Sequence, residues 1–118
     1  MQNINVFSIK QNDTLPSLQV FVKNRGCLDN IIPFNMSGVT ACTFSMIDKF
    51  GNLKISSAVA AINSTSGGSI QYSWNIGDTD TEGKFKAEFE LFFSDGNKMT
   101  VPTLGAIEVN VLKDVNDA

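Results

Sequence analysis

The sequence predicts an all-β sandwich of about seven to eight short strands, and three observations point to it. Apolar residues recur at every second position in one run after another, the period of a strand with one buried face. Polar clusters rich in Gly, Asn, Asp and Ser interrupt these runs at intervals of roughly 8–12 residues. No stretch places apolar residues at helical spacing between helix caps. A small barrel made of the same strands is the alternative architecture.

Taken in order, "INVFSIK" alternates through Ile4 and Val6, with Phe7 and Ile9 blurring the phase. "SLQVFVK" places Leu18, Val20 and Val22 on one face. In "VTACTFSMI" the set Thr40, Cys42, Phe44 and Met46 is the more apolar, so it is expected to face the core. "LKISSAVAAINS" fits a strand or a short helical turn. "SIQYSWNI" puts Ile70, Tyr72, Trp74 and Ile76 on one face and Ser69, Gln71, Ser73 and Asn75 on the other, the cleanest half-buried strand in the chain. "FKAEFELFF" separates Phe85, Ala87, Phe89, Leu91 and Phe93 from Lys86, Glu88 and Glu90. "AIEVNVL" closes the fold with Ile107, Val109 and Val111 inward. "FFSDGNKMTV" reads as a hairpin turning on Asp95-Gly96, because glycine accepts the positive φ of a tight turn. Pro16, Pro33 and Pro102 fall at run edges, where a missing N–H costs no ladder bond.

The 118 residues are expected to form one domain, 1–118, large enough for a core without staples. Hydrophobic residues are 42%, which excludes a disordered chain. The net charge is −3, and the nine Lys and Arg are scattered singly, which opposes binding to nucleic acid. The N-terminal "MQNINVFSIK" has no secretory pattern, and no apolar run approaches a membrane span. Cys27 and Cys42 lack the spacing of a metal or redox pair; they read as reduced thiols, Cys42 in a strand core and Cys27 near a turn, with a disulfide as the other option. The sequons at Asn12, Asn35 and Asn63 read as chance matches without a secretory segment.

"GDTDTEGKF" is the stretch where chemistry would show if there were any. Asp78, Asp80, Glu82 and Gly83 match the first half of an EF-hand calcium loop. The strong bidentate ligand fails, because its position falls on the apolar Phe89 and no helices flank the loop. Calcium held by Asp78, Asp80 and Glu82 between β-loops stays open as the lesser reading, and no other metal or cofactor is expected. The structural reading covers more residues. Asp80, Gly83, Phe85 and Ala87 have the rhythm of the immunoglobulin corner that precedes a core strand, with Phe85 at the tyrosine position and so without its hydroxyl. Asp80 is then expected to accept backbone N–H groups in the turn.

Histidine is absent, which removes Ser-His-Asp, Cys-His and His-zinc sites. Asp48, Asp78, Asp80, Asp95 and Glu82 are the carboxylates left for glycosidase-type chemistry, and all sit in turns. "TSGGS" has no following helix to make a phosphate loop. No catalytic residues are therefore expected, and the chain reads as a non-enzyme. Most aromatics have core phase; Phe7, Phe21, Phe34 and Phe50 do not, and one or two of them fit an exposed partner-binding patch.

The runs "IKQNDTLPSLQVFV", "SGVTACTFSMID" and "GGSIQYSWNIGDTDTEGKFKAEFELFFSDGNKMTVPTLG" together resemble the N-terminal immunoglobulin-like domain of phage baseplate upper proteins. The positions that carry the likeness include Asp13, Thr14, Pro16, Gly68, Tyr72, Trp74, Asp78, Thr79, Gly83, Phe85, Ala87, Glu88, Phe89, Asp95, Gly96 and Pro102. The resemblance implies an immunoglobulin-like sandwich with a non-enzymatic role in tail or baseplate assembly. It implies protein–protein contacts with other phage structural proteins, a possible trimer or hexamer, and a place in the virion after assembly in the host cytoplasm. Nucleic acid and membrane are not among the expected partners. Structural roles fall to Tyr72, Trp74, Phe85 and Phe89 in the core and to Asp80 with Gly83 in the corner. The loop "KNRGCLDNIIPF" and the edge strands are the expected contacts. A host-surface carbohydrate- or receptor-binding module and a capsid decoration domain are the alternative roles.

Overall fold

The computed structural model describes residues 6–25, 31–102 and 105–115. Among them eleven strands form and no helix: β1 (Val6–Lys10), β2 (Leu18–Phe21), β3 (Lys23–Arg25), β4 (Ile31–Pro33), β5 (Val39–Ile47), β6 (Leu53–Val59), β7 (Ala61–Ser64), β8 (Ser69–Tyr72), β9 (Gly83–Phe93), β10 (Lys98–Val101) and β11 (Ile107–Leu112). The sequence suggested fewer strands because single apolar runs divide. "LKISSAVAAINS" becomes two strands, β6 and β7, which lie in different sheets and change over at Ala60.

The larger sheet has the order β1-β11-β9-β5-β6, with β10 also paired to β9. β9 organises it: its first half pairs with β11, its second half with β10, and its other edge with β5. β1 runs parallel to β11, with Val6 opposite Glu108 and Lys10 opposite Leu112. The smaller sheet is β2-β8-β7, and β3 and β4 form a separate two-stranded ribbon.

The two sheets pack face to face because their alternation is in phase with the pleat. Leu18, Ile70 and Tyr72 from the smaller sheet meet Cys42, Phe44, Met46, Phe85, Phe89 and Leu91 from the larger one in a single buried cluster. Tyr72 stacks on Phe44 with ring centroids 4.2 Å apart, and Trp74 meets both rings edge-on. Each such fully buried side chain contributes roughly 1.5–3 kcal/mol over its exposed state. Phe7 stacks on Trp74 and Phe34 meets Phe93 edge-on, so these two unphased rings join the core margin. Phe21 and Phe50 stay exposed.

Three positions depart from the alternation read in the sequence: Ile76, Thr40 and Ser69, the last buried although it shares the spacing of Gln71. Ile76 is 97% exposed, although it shares the spacing of Tyr72 and Trp74. The ladder of β8 stops at Tyr72, and the following residues leave the sheet to form a turn, so the period-2 rule no longer applies. Thr40 is exposed because a register irregularity falls between Val39 and Ala41.

The hairpin expected at Asp95-Gly96 connects β9 to β10. The Phe93 N–H bonds the Asn97 carbonyl, the Gly96 N–H bonds the Phe93 carbonyl, and the Asp95 carboxylate accepts the Asn97 N–H. The β5–β6 connection repeats this arrangement: Gly51 N–H to the Asp48 carbonyl, Asp48 N–H to the Asn52 carbonyl, and Asp48 Oδ1 accepting from Phe50 and Asn52. Those donated N–H groups, that of Asn52 first, hold the Asp48 carboxyl below its usual range.

Candidate functional site

The acidic loop, residues 77–82, joins β8 to β9 at one end of the sandwich. Its carboxylates have separate duties. Asp78 Oδ2 accepts the Tyr72 hydroxyl and the Asn75 N–H at 2.8 Å, while the Asp78 N–H bonds the Asn75 carbonyl at 3.0 Å. The turn is thus closed from both sides by one residue. Asn75 Nδ2 also donates to the Tyr72 oxygen at 3.3 Å. Burial, reinforced by the bond to Asp78, pushes the Tyr72 phenol well above its ordinary range.

Asp80 points elsewhere. Its Oδ1 accepts Lys54 Nζ from the start of β6 and the Thr81 hydroxyl. The lysine is the main reason its carboxyl is held low, with the Thr81 bond second. Of the backbone N–H groups expected to seek Asp80, its own adds a lesser bond, and that of Asn75 goes to a different carboxylate. The side chain that captures the latter is Asp78, because it lies three residues beyond Asn75, at the spacing that closes a turn. Glu82 is exposed. Among the described residues no three His, Cys, Asp or Glu side chains are gathered as a metal ion would need.

The loop is also tied to the turn after β1. The buried Thr79 hydroxyl donates to the Asp13 carbonyl at 2.8 Å, the Asn12 N–H bonds the Thr79 carbonyl at 2.9 Å, and Gln11 Nε2 reaches the Asp80 carbonyl at 2.8 Å. The Gln11 N–H bonds the Leu112 carbonyl, which adds the end of β11. Trp74 Nε1 donates to the Pro16 carbonyl at 3.1 Å, so the indole is both packed and satisfied. Gly83 opens β9 at φ 144°, a backbone that other residues rarely adopt, and it lets Phe85 and Ala87 enter the core directly. Phe85 has no hydroxyl for the corner, but Tyr72 supplies one from β8 in the opposite sheet.

Tyr72, Trp74, Phe85 and Phe89 are all buried, Asp80 is exposed on the rim, and Gly83 sits at the strand entry. Sequence reasoning counted Thr79 and Asp13 among the positions of the resemblance but gave Thr79 no role. Its spacing after Asp78 is unremarkable, and its partner, Asp13, lies 66 residues away. Cys42 is a free, buried thiol, pushed up to about 11 by burial. Cys27 lies outside the described residues. Of the expected contact loop, the strands β3 and β4 pair with each other, and residues 26–30 also lie outside the description.

These ties bring the 11–16 turn, the β5–β6 hairpin, the acidic loop and the end of β11 to one end of the molecule. Leu15, Phe50, Leu53, Ile76, Leu112 and Val115 are exposed there, six of the nine large apolar side chains exposed among the described residues. Among the described residues, the large exposed apolar side chains are thus more numerous at this end than elsewhere.

No protein-family model matches the chain, and no curated relative matches its sequence. Its fold matches a solved structure, CopC from Methylosinus trichosporium OB3b, with a TM-score of 0.52 over 92% of this chain and 85% of that one. The chain is an immunoglobulin-like β-sandwich. At 14% identity the likeness fixes this architecture and carries no residue roles across.

Proposed function

We propose that this domain is a non-enzymatic structural module of a phage virion, joined into the tail or baseplate by protein–protein contacts. Two things support the reading. One is the sequence resemblance to baseplate upper proteins. The other, which carries most weight, is the gathering of exposed Leu15, Phe50, Leu53, Ile76, Leu112 and Val115 around a cross-tied end of the sandwich. Large exposed apolar side chains clustered on a rigid surface favour association. The hydrogen bonds from Thr79, Asn12 and Gln11 hold the loops that carry several of these residues, so little ordering cost is left for binding. The occupant is a neighbouring copy of the same domain, in a trimer or hexamer assembled in the host cytoplasm, with other phage structural proteins beyond it.

Solution mass by light scattering over a concentration series tests the reading. The expected outcome is a defined trimer or hexamer that falls to monomer when Leu53 and Ile76 are both changed to Lys. These side chains are exposed, so the variant keeps its fold. A monomer at every concentration, for wild type and variant alike, removes the ring and favours the host-surface receptor role.

A further inference from the structure

The two outer faces of the sandwich differ in chemistry. Along β9 the outward residues are Lys84, Lys86, Glu88 and Glu90, and Lys98 of β10 pairs with Glu90 at 3.1 Å. The strands of the smaller sheet, LQVF, AINS and SIQY, contain no charged residue at all. Their inward positions are Leu18, Ile70 and Tyr72, all buried; of the alternate positions Gln19, Phe21, Ala61 and Asn63 are exposed, Gln71 is half-buried and Ser69 is buried.

The register arranges these residues in rows. Gln19 lies opposite Gln71, which lies opposite Ala61. In the next row Phe21 lies opposite Ser69. The amides are held by their neighbours: Gln19 Nε2 donates to Ser69 Oγ at 2.9 Å, and Asn63 Nδ2 donates to Gln71 Oε1 at 2.7 Å. Fixed in this way, they still present the Gln71 N–H groups and the carbonyl oxygens of Gln19 and Asn63. Phe21 is 58% exposed on the same strand face as Gln19. Two residues along a strand span about 6.6 Å, and three strands span about 10 Å, so the patch matches about two sugar rings.

We infer that this face binds a neutral oligosaccharide, with one pyranose ring on Phe21 and the hydroxyls of the next on the amides of Gln19, Gln71 and Asn63. The charge pattern selects this occupant. Three strands without an ionic side chain give little attraction to an acidic glycan or to a charged peptide, while the opposite face would supply it. The hydrogen-bond inventory selects it as well. Exposed amides covered by another protein need matched partners or leave buried groups unpaired, whereas a sugar hydroxyl both donates and accepts and so satisfies either end of an amide. The apolar C–H face of a pyranose ring packs on the face of Phe21 as an aliphatic group would. This site is separate from the apolar end and does not depend on the assembly reading.

The test is a titration of the isotope-labelled protein with maltohexaose, cellohexaose and the chitin hexamer, followed by NMR of the backbone and side-chain amides. At least one of these hexamers is expected to shift the side-chain amides of Gln19, Gln71 and Asn63 in a saturable way. Phe21→Ala and Gln71→Ala are each expected to weaken that binding about tenfold while backbone shifts elsewhere stay in place. Lack of any shift up to about 10 mM of all three probes would overturn the inference, since that is weaker than any useful site. Shifts that survive both substitutions would overturn it too. A change of solution mass in Phe21→Ala would assign the face to a second copy of the chain and overturn it as well.

Discussion

Replacing Tyr72 with phenylalanine removes one oxygen and leaves the ring in place against Phe44, so it isolates the bond that closes the acidic corner. A hydrogen bond to a charged group contributes about 1.5–3 kcal/mol when its partner is left dry. Asp78 is only half-buried and keeps the Asn75 N–H, so water and that donor compensate in part. The expected cost is about 1–2 kcal/mol, or roughly 4–8 °C in melting temperature for a domain of this size. Asp78→Ala takes away more. It strands the buried Tyr72 hydroxyl as a donor and frees the Asn75 N–H, for about 2–3 kcal/mol. The double variant should then fall short of the sum of the two by about 1 kcal/mol, because the shared bond is lost only once. Urea denaturation at pH 7 gives all three values. A Tyr72→Phe protein within about 0.3 kcal/mol of wild type, or strictly additive variants, would refute the view that the carboxylate serves the turn.

Other consequences are equally open to measurement. Gly68→Ala places a Cβ 2.4 Å from the Val22 carbonyl oxygen and 3.0 Å from that of Phe34, at φ +70°, so both backbone segments must move. A loss above about 2 kcal/mol in urea is expected, and a near-wild-type midpoint would mean that Gly68 does not approach Val22 and Phe34 so closely. Trp74→Ala should cost roughly 3–5 kcal/mol through the cavity and the lost bond to Pro16, read as a large fall in the thermal midpoint. The Cys42 thiol is raised from 9.0 to about 11 in the fold. The unfolded chain therefore ionises it first, and the stability it contributes is present below about pH 9 and lost as pH rises toward 11. That loss is of order 2 kcal/mol, and Tyr72 adds to it in the same direction from about pH 10 upward. Urea midpoints at pH 8 and pH 10.5 should differ, and Cys42→Ala should reduce the difference.

The alternating runs made the core legible, since burial leaves a period-2 signature that needs no knowledge of partners. Phe85, Ala87, Phe89 and Leu91 were readable on those grounds, as were Ile107, Val109 and Val111. The signature ends where the ladder ends, which is why Ile76 looked like a core residue. It is also blind to which sheet a strand joins, so β6 and β7 read as one ambiguous segment, although Ala60 carries the chain from one sheet to the other. The acidic loop could be recognised as a turn from its composition. Its division of labour could not, because Lys54 and Asp13, the partners of Asp80 and Thr79, come from distant parts of the chain. The neutral outer face was hidden for a related reason. Gln19, Gln71 and Asn63 are ordinary polar positions until the register sets them side by side.

The parallel pairing of β1 with β11 has a mechanical side. Because the two strands point the same way, the chain enters β1 at one end of the sandwich and leaves β11 at the other. A pull on the two ends therefore slides the strands along each other, and the bonds from the Val6–Glu108 pair to the Lys10–Leu112 pair must give way together, whereas a force that peels a hairpin breaks them one by one. Stretching single molecules from these ends should meet a high rupture force, and shortening the shared ladder, for instance by Ser8→Pro, should lower it sharply. A domain wired in this way can pass tension along its length while its sheets stay closed.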